Sequence, residues 1–450
     1  MSTPIDPSLL DIYLSKTIKS RELFQEASKY TPGGVHSSLR YFQPYPFYVS
    51  RARGSKVWDV DGNEYIDYVM GYGANIGGHA NPAITNAIIE QLENGTLYTF
   101  PYELQIKLLR ELKSKYPYVD YFRLSNTGSE AVMHAIKLAR AYTGRDKIIK
   151  IEGSYHGTYD AVSISVEAKP DIWGSDLEPE RILESGVPKS FKKDTIVIQY
   201  NDLDALERVL KKYGDDIAAM IIEPIMLNSV GVIIPERDYI EDVRKLTQEY
   251  NVVLIFDEVK TGFRIAPGGA AEYFKIEPDI AVFGKALGGG VPIAAFGFKE
   301  KLADVMYPKG RHTHSGTYNG NPLVVSAAYA NQTKVLTNEA YRKLDKLGRE
   351  LASGIHDIIE DLNLPLCVSS IGSVGAIHFM PREPKNYRDV VLNYDFKAYR
   401  LYWVKMLLNN ILIRGPIEGE PWFISLAHTN EDIQTTIEKT TVVLREIYSK

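Results

Sequence analysis

Apolar residues recur at loose helical spacing from residue 8 to 30 and stop at Thr31-Pro32-Gly33-Gly34, a cluster that breaks any helix. The run KVWDVDGNEYIDY places Asp61-Gly62 between two β-rich flanks, the pattern of a hairpin. Asn81-Pro82 opens the next helix: asparagine suits the N-cap, and proline the first helical position, whose N–H has no partner anyway. Ile84, Ala87, Ile88 and Leu92 form its apolar stripe, and Gly95 ends it.

From about residue 103 to 300 short apolar runs alternate with helical patterns. The candidate strands are YFRL, KIIKIE, TIVIQY, AAMIIEPI, VVLIFDEV, DIAVFGK and AAFGF. Continuous apolar strands separated by helices predict an α/β fold with a largely parallel sheet covered on both faces. Ligands of open α/β sheets sit outside the carboxyl ends of the strands. Residues 165–190, rich in Pro, Gly, Ser and charge, read as a mobile loop and a candidate lid. Beyond residue 325 a long helical stretch is followed by short strands near 366–378 and 411–414, a helix near 394–409, the strand PWFISLAH and a final helix from about 430. The expected division is an N-terminal segment 1–80, a large domain 81–325 and a smaller α/β domain 326–450.

Composition narrows the function more by exclusion than by assertion. The chain has 450 residues, 44% hydrophobic and 24% charged, enough for a sizeable core. Its 52 basic and 57 acidic residues leave a net charge of -5, which argues against a nucleic-acid partner. No apolar run approaches the roughly 20 residues that span a bilayer, and MSTPIDPSLLDIYLSK lacks the basic-then-apolar pattern of a leader. A cytoplasmic protein without membrane contact is expected. The single cysteine, Cys367, rules out an internal disulfide and a CxxC metal knuckle, and its flanks read as a buried strand with an inert thiol.

Chemistry enters at two strand ends. VVLIFDEV delivers Asp257, and DIAVFGKALGGG delivers Lys285 followed by three glycines. An amine at an apolar strand end is expected to shed its proton readily and attack an aldehyde, and an acid in a semi-buried cleft can hold a ring nitrogen protonated. Together they suit pyridoxal phosphate. The bland alternatives are a surface lysine in a turn and an ion pair of Asp257 with Arg264. Glu258, next along the strand, should point the other way, which weakens a carboxylate metal site; no metal is expected. Three further segments fit the pair. RLSNTGSEAVMHAIKLARAYTG reads as strand, turn and helix, so Gly128 and Ser129 sit at a helix N-terminus able to cradle an anion. EGSYHGTYD places Tyr155 and His156 just after a strand, where an aromatic can stack on a flat ring, although a satisfied loop histidine is the commoner outcome. HSGTYNGNP supplies a second turn suited to phosphate.

The order NTGSEA, YHG, EP, DEV, GK-GGG, GTYNGNP resembles the class-III, fold-type-I pyridoxal-phosphate aminotransferases, and PGGVHSSLR and FISLAHTNEDI are similar to the glutamate-1-semialdehyde 2,1-aminomutase branch. The resemblance runs from about Pro32 to the last helix. It implies a large domain built on a mostly parallel seven-stranded sheet, Lys285 as the Schiff-base lysine and proton shuttle, and Asp257 at the pyridine nitrogen. It implies Val259 and Tyr155 on the two ring faces, Gly128 and Ser129 on the phosphate, and Asn228 near the ring hydroxyl. Thr317 would reach the phosphate of a neighbouring subunit, which implies a homodimer. Ser37, Arg40, Tyr72 and Glu420 fall where that branch handles its substrate, and Arg40 is a plausible carboxylate clamp.

Departures from the branch bear on the substrate. GVHSSLR keeps only the Ser and Arg of the mutase pattern GVNSPVR, Tyr72 replaces a tryptophan, and SVEAKPDIWG replaces a Gly-Ser-Gly gating stretch. These favour a transaminase that moves an amino group from a β- or ω-amino compound, or a small amino acid, to a separate oxo acid. The alternative is the 2,1-aminomutase itself, making 5-aminolevulinate. A nucleotide-binding protein lacks its GxxxxGK[ST] or GxGxxG signature here, and a scaffold free of cofactor has no use for Lys285, Asp257 and Ser129 together.

Overall fold

The seven apolar runs of the middle region form one sheet, in the spatial order Tyr121–Ser125, Ala294–Phe298, Ile280–Phe283, Val253–Asp257, Ile217–Ile222, Lys147–Ile151, Thr195–Ile198. Strand Ala294–Phe298 runs antiparallel to both its neighbours, and the other pairings are parallel. The computed structural model describes residues 6–228, 230–413, 415 and 421–449.

The strands are apolar at nearly every position because both faces are covered. Ile221, Ile255, Val282 and Phe296 pack with Ala131, Val132, Ala135 and Ile136 of helix Gly128–Thr143. The alternate residues Met220, Leu254, Phe256, Ala281 and Phe283 belong to the larger core on the other face, with Leu206, Leu210, Ile240 and Val243 from two more helices. Each of the Val, Leu, Ile, Met and Phe side chains among them contributes about 1.5–3 kcal/mol when fully buried. A one-residue slip would exchange the two faces, so the register is tightly specified. The carboxyl ends of four parallel strands thereby share one edge, and Glu152, Glu223, Asp257 and Lys285 lie at or just beyond it.

The N-terminal region folds as expected in its local signals. Two helices, Pro7–Lys16 and Ile18–Ala27, precede the breaker cluster. Asp61 of the hairpin turn accepts hydrogen bonds from the N–H groups of Lys19 (2.6 Å) and Ser20 (3.0 Å), capping the second helix. Asn81 accepts from Ala83 N–H at 3.0 Å and starts helix Pro82–Glu93. The expected stripe of that helix is only partly buried: Ile84 is 5% exposed but Leu92 is 50% exposed. Strand Ile411–Leu412 pairs in parallel with Glu64–Asp67, so a segment near the chain's end completes the N-terminal sheet. Strands Cys367–Ile371, Val374–His378 and Trp422–Phe423 form a third, antiparallel sheet. Helix Asn430–Tyr448 closes the chain from a Thr429/Asp432 capping box. Cys367 is half-buried, and burial pushes its thiol up to about 12, in keeping with an inert group.

The first part of the 165–190 segment is anchored, whereas most of 174–190 is exposed. Arg388 donates to Glu152 Oε2 (2.7 Å), Asp176 Oδ1 (2.8 Å) and the Trp173 carbonyl (2.7 Å), with its guanidinium 4.7 Å above the Trp173 ring. Ser165, Val166, Ala168 and Trp173 are buried. The segment is polar in composition, yet a buried arginine gives it a fixed anchor that composition does not reveal. Among the described residues no helix is long and apolar enough to cross a membrane.

Candidate active site

A cavity of about 380 Å³ opens at the carboxyl edge of the sheet. Its walls include Gly128, Ser129, Tyr155, Asn228, Asp257, Val259 and Lys285, so seven of the predicted residues converge from five separate segments. The volume falls within the range of about 300–1,000 Å³ typical of cofactor sites.

Asp257 ends its strand 6% exposed, and its two oxygens are both engaged. Oδ1 accepts from Val259 N–H at 3.0 Å, and Oδ2 lies 2.7 Å from His156 Nδ1. The other ring nitrogen of His156 lies 3.0 Å from Ser154 Oγ. Ser154 gives its own proton to the Ile151 carbonyl at 2.6 Å, which leaves its oxygen open to a proton from the imidazole. His156 is therefore held at both ends and fixes the Asp257 carboxylate. Glu258 points the opposite way, as expected from strand alternation, and accepts from Thr261 Oγ1, Ala270 N–H and Ala271 N–H. Among the described residues no group of three metal-ligating side chains occurs.

Arg264 does not pair with Asp257. It lies 1% exposed and donates to Gly73 O (2.7 Å), Ile424 O (3.0 Å) and Ser373 Oγ (3.1 Å). Burial alone pulls the guanidinium down to about 9. The arginine thus ties the sheet edge to the turn before Ala74 and to the C-terminal region.

Lys285 follows Gly284 and adopts a left-handed backbone, φ 41°. A non-glycine residue there carries strain of about 1–3 kcal/mol, and such strain concentrates at functional positions. The tight turn Lys285–Leu287 sends the lysine side chain into the cavity instead of along the strand axis.

The opposite wall is a helix N-terminus. Thr127 caps helix Gly128–Thr143 by accepting from Glu130 N–H at 3.3 Å. The first N–H groups of a helix have no partner within it, and the dipole favours an anion beside them. Gly157 is pressed against this wall with φ 90°; a Cβ there would lie 2.2 Å from Ser129 Oγ and 2.7 Å from Ser129 Cα. Gly157→Ala is therefore expected to push Ser129 aside and to lower activity on the order of 10²-fold. A titration of cofactor binding alongside the rate assay checks it; unchanged binding and rate would refute the close approach.

Glu223, fully buried, accepts from Asn228 Nδ2 (2.7 Å) and Leu227 N–H (3.1 Å), so the loop after its strand is folded around its carboxylate. Asn228 also donates to Tyr155 O at 3.3 Å. His156 and Glu223 were not selected from the sequence as site residues; the adjacent YHG and EP signals mark their positions but not their partners.

Of the remaining predicted residues, Thr317, Ser37, Arg40 and Tyr72 do not line the cavity. Thr317 is exposed, in a turn that reaches the helix N-terminus through Asn126 Nδ2 and Asn319 Oδ1 at 2.9 Å. Ser37 is half-buried, Arg40 is exposed, and neither lines the cavity. Tyr72 sits in a run of four left-handed residues, Met70 to Gly73, and donates to Leu39 O at 3.2 Å. That turn brings Ala74, two residues on, into the cavity wall. Glu420 lies outside the described residues.

The comparisons with known proteins now decide the family. The model of the family "Aminotransferase class-III" matches residues 39–400. The chain belongs to the class-III aminotransferase family. A glutamate-1-semialdehyde 2,1-aminomutase of Archaeoglobus fulgidus is 43% identical over 94% of this chain and 98% of its own. One of Methanococcoides burtonii is 43% identical over 95% and 99%. Among solved structures, an omega-transaminase from Sphaerobacter thermophilus superposes with a TM-score of 0.91 at 32% identity, covering 95% of this chain and 97% of that one. A glutamate-1-semialdehyde aminomutase from Pseudomonas aeruginosa PAO1 in complex with PMP gives 0.89 at 26% identity, covering 98% and 97%. Class-III aminotransferases work with pyridoxal phosphate, and the site fits it: a carboxylate held by a histidine, a lysine, and a helix N-terminus narrowed by Gly157 surround one cavity.

Proposed function

We propose that the chain is a glutamate-1-semialdehyde 2,1-aminomutase, which moves an amino group between neighbouring carbons of one skeleton to give 5-aminolevulinate. The observation that carries this reading is the 43% identity to archaeal mutases over nearly the whole length of both chains. It displaces the transaminase expected from the sequence departures, because those departures affect a few positions and the similarity affects the whole chain.

Bound pyridoxal phosphate supplies an aldehyde for the amine and a ring that accepts the electrons released at carbon. In this reading Lys285 holds the aldehyde between turnovers and moves the proton between the two carbons. Asp257, backed by His156, keeps the ring nitrogen protonated. Gly128 and Ser129 hold the phosphate, Val259 and Tyr155 flank the ring, and Asn228 meets its hydroxyl. Thr317 serves the site of a second copy, which makes the enzyme a homodimer. Support comes from the exposed apolar side chains Phe100, Ile106 and Tyr318 on the edge where Tyr102 and Gln105 bond to Gly320 O; exposed apolar patches of this kind mark association surfaces. Ser37, Arg40, Tyr72 and Glu420 take the substrate side. We place the enzyme in the cytoplasm, in line with a small polar substrate and a single cysteine.

The test is direct. Purified enzyme loaded with cofactor is expected to convert glutamate 1-semialdehyde to 5-aminolevulinate with no oxo acid added. Turnover that requires an added oxo acid would instead establish transfer between separate molecules, the reading favoured by the fold match to an omega-transaminase.

A further inference from the structure

Ser154 lies in the loop after strand Lys147–Ile151, fully buried, and each of its polar groups has one assignment. Its N–H donates to the Ile151 carbonyl at 3.2 Å. Its hydroxyl gives its single proton to the same carbonyl at 2.6 Å, an oxygen that can only accept. Its own carbonyl accepts from the ammonium of Lys150 at 3.1 Å. Lys150 is itself fully buried and also donates to the Ile164 carbonyl at 2.7 Å, so it ties Ser154 to Ile164. Burial pulls that ammonium down to about 7, against the opposite pull of Glu152, Glu184 and Glu223. Ser154 is thus pinned at three points, and its oxygen faces His156 Nε2 at 3.0 Å with lone pairs alone.

His156 is 2% exposed and meets an acceptor at each ring nitrogen. Nε2 must carry a proton to bond Ser154 Oγ. On the other side Nδ1 lies 2.7 Å from Asp257 Oδ2. Two lone pairs repel at that distance, so a proton lies between them, on the nitrogen or on the oxygen. A neutral imidazole has one N–H, and Ser154 has taken it. The proton facing Asp257 is therefore a second one. Imidazolium beside carboxylate, and imidazole beside carboxylic acid, both sum to zero charge. Glu223, on the neighbouring strand end, favours the first form: burial raises its carboxyl above the ordinary value, and the positive charges of His156 and Lys260 oppose that rise.

We propose that Ser154 is a positioning residue that sets the proton count behind the cofactor's ring nitrogen: by accepting the Nε2 proton of His156 it obliges a second proton to lie between His156 and Asp257. Asp257 then meets the ring nitrogen as one end of a pair without net charge, instead of as a bare carboxylate. When Asp257 accepts a proton from the ring nitrogen, the shared proton rests on His156 Nδ1. Without Ser154 a single proton, on Nδ1, would satisfy Asp257, and the pair would carry one negative charge.

The experiment reads the protons on the imidazole directly. Enzyme loaded with pyridoxal phosphate and labelled with nitrogen-15 histidine is followed by nitrogen magnetic resonance at neutral pH, with His156 assigned by the resonances missing from His156→Gln. The wild type is expected to show a bound proton at both Nδ1 and Nε2 of His156, and this spectrum tests the proton count without any variant. Ser154→Ala removes one oxygen and leaves the backbone bonds to Ile151 and Lys150 in place. In that variant the Nε2 proton is expected to be lost and the Nδ1 proton kept. A wild type whose Nε2 is bare overturns the proposal. So does a Ser154→Ala spectrum with both protons still in place, which would make the hydroxyl a packing group.

Discussion

Lys285→Ala is expected to lower turnover by about 10²- to 10⁴-fold from the lost proton transfer alone, and further from the lost covalent hold on the cofactor. The geometry gives the reason. Lys285 is the residue that the strained turn after strand Ile280–Phe283 aims into the cavity. A second lysine of the cavity, Lys260, is engaged with the Leu227 carbonyl on another wall and cannot stand in for it. The check is chemical as well as kinetic. Borohydride treatment of the loaded wild type should leave the cofactor on the peptide carrying Lys285, and on no peptide of the variant. A wild-type enzyme labelled at Lys260 instead would reverse the assignment of the two lysines. A variant that keeps more than a tenth of wild-type turnover would remove Lys285 from the chemistry.

The second large effect is expected at Asp257. Asp257→Asn keeps the size of the side chain and its acceptor for Val259 N–H, bonded at 3.0 Å, so the turn should survive. What it loses is the charge, 2.7 Å from His156 and at the end of the cavity's central strand. An amide does not hold a ring nitrogen protonated, and removal of one preorganised electrostatic partner costs on the order of 10²- to 10³-fold in kcat. The fall should appear in kcat for every amine tested, with a smaller change in KM, and with thermal unfolding close to that of the wild type. An unaltered kcat would mean that the carboxylate serves only to hold His156. A large loss of stability would mean that the pair is structural.

Much of the fold was legible because its signals are local. Each of the seven apolar runs became a strand of the large sheet, since a strand buried on both faces must be apolar throughout. Asn81 and Asp61 mark a cap and a turn within a few residues of sequence. The cofactor-side residues were legible for the same reason: Asp257 and Lys285 end strands, and Gly128 and Ser129 begin a helix. Where the reading failed, the deciding contact was distant. Leu92 fits an apolar stripe yet stays 50% exposed, because periodicity does not say whether a partner surface exists. Residues 165–190 have the composition of a free loop, which gives no sign of the contacts that Trp173 and Asp176 make with Arg388, some two hundred positions further on.

The sequence by itself determined the α/β class, the strands and helices, the residues at the strand ends and, through the order of its motifs, the family. Only the tertiary structure decided which of those residues meet. It placed Ala294–Phe298 antiparallel between Tyr121–Ser125 and Ile280–Phe283. It brought His156 to Asp257 across 101 positions, sent Arg264 away from that carboxylate to three polar atoms elsewhere, and put Lys260 in the cavity while leaving Arg40 at the surface. The physical reason is the range of the forces involved. Backbone propensity, capping and periodicity act over a few residues and are written in the local sequence. Strand order, buried charge and cavity shape depend on packing between distant segments, which local sequence constrains but does not specify.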